Sequence, residues 1–143
     1  MLSQWNVSKL LFGFAALSVT VVVNGQGVPA RVTQTSRQMS LPEEEGKRIF
    51  TQQCAACHNV VKGAPNKLGP TLANLVGARA GTRPGFDYSP AFKQANFRWS
   101  DARLEAFFAN PSTAVPGNRM PFAGIASADS RRKLIAYLKA TAR

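Results

Sequence analysis

Cys54-Ala-Ala-Cys57-His58 holds both cysteines and the only histidine of a 143-residue chain. Two thiols and an imidazole crowded into five residues point to one chemical event on one short segment. Four chemistries use such a run. A structural zinc site needs four ligands, and this chain offers three with no further Cys or His. A thioredoxin-like redox pair needs a βαβ setting, and no strand pattern is evident. A nucleophilic cysteine paired with its histidine leaves the second cysteine unexplained. Covalent haem attachment uses all three, with thioethers at Cys54 and Cys57 and His58 on the iron.

That reading raises the question of a sixth iron ligand. No second histidine exists, so the choices are a methionine, a lysine or an open position. Of the three methionines, Met1 opens the chain and Met39 lies in a polar stretch. Met120 lies in VPGNRMPFAGI, a Gly/Pro-rich loop 62 residues after His58. A loop methionine followed by proline is an unusual core filler, and Met120 is the candidate.

The elements that must position these residues are helical. Pro42 suits a first helical turn and Glu43-Glu44-Glu45 suit its N-terminal dipole, so a helix is expected from Pro42 to about Cys54. Glycine and proline recur between Asn59 and Ser100, which reads as loops around short helices. Ser100 can cap DARLEAFFAN, with Asn110-Pro111 stopping it. Ser127 can cap a last helix whose stripe is Leu134, Ile135 and Leu138. The expected fold is all-α, with too little regular structure for its loops unless something else fills the core.

Leu10 to Val23 is an apolar run of 14 residues following Lys9 and preceding the small residues NGQGVPA. This pattern predicts a secretory signal peptide over residues 1–30; the run is shorter than the ~20 residues of a membrane span. A polar linker, residues 31–40, and one folded domain, residues 41–143, follow. An exported, periplasmic location is therefore expected, with membrane attachment only if the leader is retained. The chain has 18 Lys and Arg against 7 Asp and Glu, and only Lys9 lies in the leader, leaving an excess of +10. Such a charge seeks anionic partners. The basic residues are dispersed, with Arg131-Arg132-Lys133 the longest run, so no nucleic-acid patch is evident.

EEEGKRIFTQQCAACHNV, KLGPTLANLVG, PGFDYS, FRWSDARLEAFFANP, VPGNRMPFAGI and RRKLIAYLKATAR resemble, in order and spacing, the class I c-type cytochromes of the mitochondrial and bacterial soluble type. The resemblance implies the small cytochrome c fold, with N- and C-terminal helices crossing and loops wrapped around one covalent haem c. It implies electron transfer rather than substrate turnover. Cys54 and Cys57 match the thioether cysteines, and His58 and Met120 the axial pair. Pro70 matches the proline whose carbonyl accepts from the histidine ring. Tyr88 and Trp99 match residues that hydrogen-bond a buried propionate. Gly46 and Phe50 match the first-helix contact with the last helix at Leu134 and Tyr137.

The sequence also departs from the family pattern. Ala78 stands where an arginine is common, with Arg79 one place later. Phe107 replaces a tyrosine, Phe92 an asparagine and Asn118 a threonine. The implied partners are acidic docking surfaces of redox proteins, such as a cytochrome bc-type complex, an oxidase or a photosynthetic reaction centre. Lys67, Lys93 and Arg119 are the docking candidates, and a monomer is expected. A haem enzyme would need distal acid/base groups, and no spare histidine exists. The other reading is a membrane-anchored or complex-bound haem c electron-transfer subunit.

Overall fold

The computed structural model describes residues 39–141. The leader and most of the linker predicted from the sequence lie outside those residues. The described part consists of five helices, α1 (Leu41–Gln53), α2 (Pro90–Lys93), α3 (Asp101–Ala109), α4 (Pro111–Ala114) and α5 (Ala128–Ala140). Among the described residues, pairing of strand type is limited to one isolated antiparallel bridge, Arg79 with Arg98.

Each helix begins where local chemistry favours it. At α1, Pro42 occupies the first turn, and the Glu43 carboxylate accepts from the Ser40 N–H at 2.8 Å. One of the three glutamates therefore serves as half of a capping box. Ser100 accepts from the Arg103 N–H to start α3, and Ser127 from the Ser130 N–H to start α5. Asn110 has two roles. It ends α3, and its side chain accepts from the Thr113 N–H to start α4, with Pro111 in the first turn. Read only as a stop, Asn110-Pro111 conceals a helix that the same two residues begin.

The main packing interface is α1 across α5. Gly46 permits it: a Cβ there would lie 2.7 Å from Tyr137 Cβ and would collide with the Lys133 carbonyl. One turn on, Phe50 meets Tyr137 with ring centroids 5.7 Å apart. Leu134 and Leu138 are sealed beneath. The expected contact is thus present, and it runs through the α5 backbone at Lys133 as well as through Tyr137. Glu45 and Lys133 add an ion pair at its edge. A third layer is α3, whose Leu104, Phe107 and Phe108 face the core. These helices hold the ends of a long loop segment, and that segment carries the site.

Candidate functional site

Cys54 is the residue on which α1 ends, and its N–H still bonds to the Phe50 carbonyl at 2.8 Å. The next turn closes on it: the Cys54 carbonyl accepts from Cys57 N–H at 3.0 Å and from His58 N–H at 2.9 Å. Cys54, Cys57 and His58 therefore occupy one rigid turn at the end of a helix. Lys67 ties it from outside, donating through Nζ to the Ala55 carbonyl at 2.7 Å. Both cysteines are free thiols of intermediate exposure. Burial, with the neighbouring Cys57 second, pushes the Cys54 thiol up to about 11. It is neutral at physiological pH.

His58 is oriented by Pro70. The ring Nδ1 lies 2.7 Å from the Pro70 carbonyl oxygen. A carbonyl only accepts, so Nδ1 carries the proton and Nε2 keeps its lone pair. Burial lowers the imidazole pKa, opposed by the Pro70 bond, so the neutral form that ligates a metal is favoured. Pro70 is held in place on both sides, since Gly69 N–H donates to Cys57 O at 2.9 Å and Leu72 N–H to Asn59 O at 2.7 Å. Gly69 also makes room for the ring. A Cβ at this position would sit 2.7 Å from Nδ1 and 2.8 Å from Nε2 of His58. Gly69→Ala should push the imidazole off Pro70 and destabilise the haem-loaded protein by about 1–3 kcal/mol; an unchanged thermal midpoint would refute this.

Met120 lies in the segment between α4 and α5. It is half-buried and packs against the hydrophobic core. Its backbone N–H donates to Asn118 Oδ1 at 2.9 Å, while Asn118 Nδ2 donates to Pro111 O at 2.8 Å and Val115 O at 2.9 Å. Asn118, noted in the sequence only as a replaced threonine, is thus a clasp that fixes the backbone of Met120.

Tyr88 and Trp99 stand on either side of Phe92, with ring centroids 5.8 and 6.2 Å from it. Burial raises the Tyr88 pKa, with the backbone and charge of Arg83 acting against it. Trp99 is buried, and its backbone pairs with Ala78 O at 2.9 Å and with Gly77 N–H at 2.7 Å. Phe92 and Phe107, two of the departures noted above, are in contact with each other, edge to face at 5.9 Å. Phe107 also meets Trp99 at 5.0 Å. Where the family pattern has polar side chains, this protein has a continuous aromatic wall.

The missing arginine at Ala78 has no direct substitute in Arg79, which turns outward to the Asn96 side-chain carbonyl at 3.1 Å. Arg83, which the sequence did not single out, instead bonds to the Ala73 carbonyl from a half-buried position. Asn66 joins the same two loops, donating to Pro84 O and accepting from Thr71 N–H, each at 3.0 Å. An Asn or Arg in a Gly/Pro-rich loop carries no local sign of such a partner, so the sequence offered no signal for either.

The donor set tests the cofactor. Among the described residues no three His, Cys, Asp or Glu side chains gather as a metal cage. The turn after α1 presents one oriented imidazole nitrogen and two thiols, with a glycine cradle beside the ring. That set fits a flat group bonded through carbon to both sulfurs and through its metal to one imidazole. The fold and site define a covalent haem protein of the c type.

Comparison with known proteins agrees. A profile of the cytochrome c family matches residues 43–142. The chain is 46% identical over 94 residues to a cytochrome c of Chlamydomonas reinhardtii, covering 66% of this chain and 84% of that one. It is 43% identical over 96 residues to cytochrome c type-1 of Ascaris suum, covering 67% and 85%. Against cytochrome c2 of Rhodomicrobium vannielii the identity is 40% over 94 residues, covering 66% and 74%. The chain belongs to the cytochrome c family, as a class I c-type cytochrome with one covalent haem c and a function in electron transfer. No helix among the described residues is long and apolar enough to cross a membrane.

Proposed function

We propose that the protein is a single-haem carrier that takes one electron from one redox partner and delivers it to another, with His58 and Met120 as the residues that would ligate its iron. The observation that carries this reading is the bond between His58 Nδ1–H and the Pro70 carbonyl, 2.7 Å long, which leaves Nε2 as a fixed ligand atom. When bound, haem c supplies an iron that alternates between ferrous and ferric by one electron. The chain supplies the rest. Cys54 and Cys57 hold the group to one turn, and Pro70 fixes the imidazole and raises its basicity. Met120 offers a thioether, a ligand that raises the potential. Tyr88 and Trp99 offer polar tips to the propionates, and the wall of Phe92 and Phe107 excludes water, which disfavours the extra charge of the ferric state.

The carrier reading uses the only histidine, His58, as a ligand and leaves no spare imidazole for substrate chemistry. The protein is in this reading not an enzyme. Residues 1–30 act as an export leader and residues 31–40 as a linker to the domain over 41–143, for export to the periplasm or a comparable compartment, where the protein works as a monomer in this reading. Its positive surface docks acidic redox partners, with Lys67, Lys93 and Arg119 among the cations; charge complementarity of this kind sets on-rate more than affinity.

An optical redox titration of the purified protein tests the carrier function, with a single reversible one-electron wave expected. Stopped-flow rates with an acidic redox protein test the docking. The second-order rate should fall steeply as salt rises, because the Debye length contracts to about 8 Å at physiological ionic strength, while the midpoint potential stays. A multi-electron or irreversible wave would overturn the first part, and a rate indifferent to salt the second.

A further inference from the structure

Two of the proposed docking cations share a carboxylate within the chain. Lys93 Nζ lies 2.7 Å from Asp87 Oδ1, and Arg119 Nη2 lies 2.9 Å from the Asp87 backbone carbonyl and 3.4 Å from its Oδ2. Asp87 is the only acidic residue between Glu45 and Asp101, a stretch with eight Lys and Arg. It adjoins Tyr88, as Arg119 adjoins Met120, so the cluster joins the two loops that carry those site residues, 32 positions apart. All three side chains are largely exposed: 76% for Asp87, 58% for Lys93 and 62% for Arg119.

Exposure decides what such a cluster can do. Ion pairs in open water contribute little to stability, because solvent competes for both charges and the long cationic side chains lose freedom in holding one geometry. This one is therefore a weak clasp between the loops, and its cations exchange partners at small cost. The two neighbours hold the Asp87 carboxyl below the usual carboxylate range, so it stays charged at neutral pH. As long as it does, it offsets one of the two positive charges that a partner would meet there.

We propose that Asp87 is an internal stand-in for a partner's carboxylate: it occupies Lys93 and Arg119 in the free protein and yields them when a redox protein with a carboxylate-bearing face docks. This inference rests on the docking reading above. It makes Asp87 a residue that sets partner selectivity, lowering the pull on every anion and favouring those that present carboxylates close enough to take both cations.

The test uses two small one-electron oxidants of opposite charge on the haem-loaded ferrous protein. Hexacyanoferrate(III), a trianion, takes one electron to become hexacyanoferrate(II) as the haem becomes ferric. Tris(phenanthroline)cobalt(III), a trication, takes one electron to become cobalt(II). Asp87→Asn removes one negative charge and keeps the shape. At roughly 10 mM ionic strength it should speed the anionic oxidant roughly fivefold and slow the cationic one by a similar factor, from Coulomb's law at about 10 Å with weak screening. The two effects should vanish together near 1 M salt, and Asp87→Glu should keep the original rates. Rates unchanged in Asp87→Asn would overturn the proposal. So would a change of the same sign with both oxidants, which marks loosened loops rather than lost charge. A wild-type rate with hexacyanoferrate(III) that ignores salt would instead remove the docking reading, and this inference with it.

Discussion

In a Cys54→Ala/Cys57→Ala variant, acidified organic solvent should extract all of the haem, while the wild-type protein should keep all of it. The expectation follows from the turn itself. Cys54 and Cys57 lie within one hydrogen-bonded turn that also fixes His58, and both are free thiols. Each can add across one vinyl group to form a thioether, a bond that acid and solvent do not break. Acid would protonate a ligating imidazole and release its hold on iron, so ligation alone would hold nothing under these conditions. The double variant should also lose fold stability, because the thioethers would tie the turn that follows α1 to a group packed within the loops. Haem extracted from the wild type by the same solvent would refute covalent attachment. Single substitutions should keep the haem bound, each through the remaining thioether.

The second large effect is expected at Met120. Met120→Ala should open the sixth position, remove the sulfur-to-iron charge-transfer absorbance, and let the ferrous form bind carbon monoxide. The midpoint potential should fall by on the order of 0.1–0.2 V, part of the ~0.8 V over which axial ligands move haem potentials. The structure makes the variant clean. Asn118 holds residue 120 through its backbone N–H, with its own amide bonded to Pro111 and Val115, so an alanine keeps the loop and loses only the thioether. Asn118→Ala should act differently: the thioether remains, its loop loosens, and carbon monoxide binds more slowly and less completely than in Met120→Ala. An unchanged spectrum and potential in Met120→Ala would mean that another group, such as a lysine, is the ligand.

Much of this protein is legible in its sequence because the relevant chemistry is local. Cys54, Cys57 and His58 are nearly consecutive, and their spacing, with no other Cys or His in the chain, selects haem attachment among the chemistries of thiols and imidazoles. Ser100 and Ser127 mark helix starts because a cap bonds to an N–H three residues on. The contact of Gly46 with the last helix came from the family resemblance, and the structure places it. Other features were hidden even at short range: Asn110 stops one helix and caps the next, and one residue type serves both ends equally well.

What only the tertiary structure decided are contacts between segments far apart in the chain. Nothing near Gly69 announces that a Cβ there would meet the His58 ring. Phe92 and Phe107 read singly as two lost polar groups, and only their 5.9 Å approach makes them one dry wall. Asp87 reads as an ordinary loop acid until folding sets Lys93 and Arg119 against it. The physical reason is range. Hydrogen bonds that cap and turn a chain are satisfied within a few residues and leave a mark in the residue types. Packing and ion pairing depend on distances that the chain acquires only once α1 and α5 have crossed and drawn its loops together.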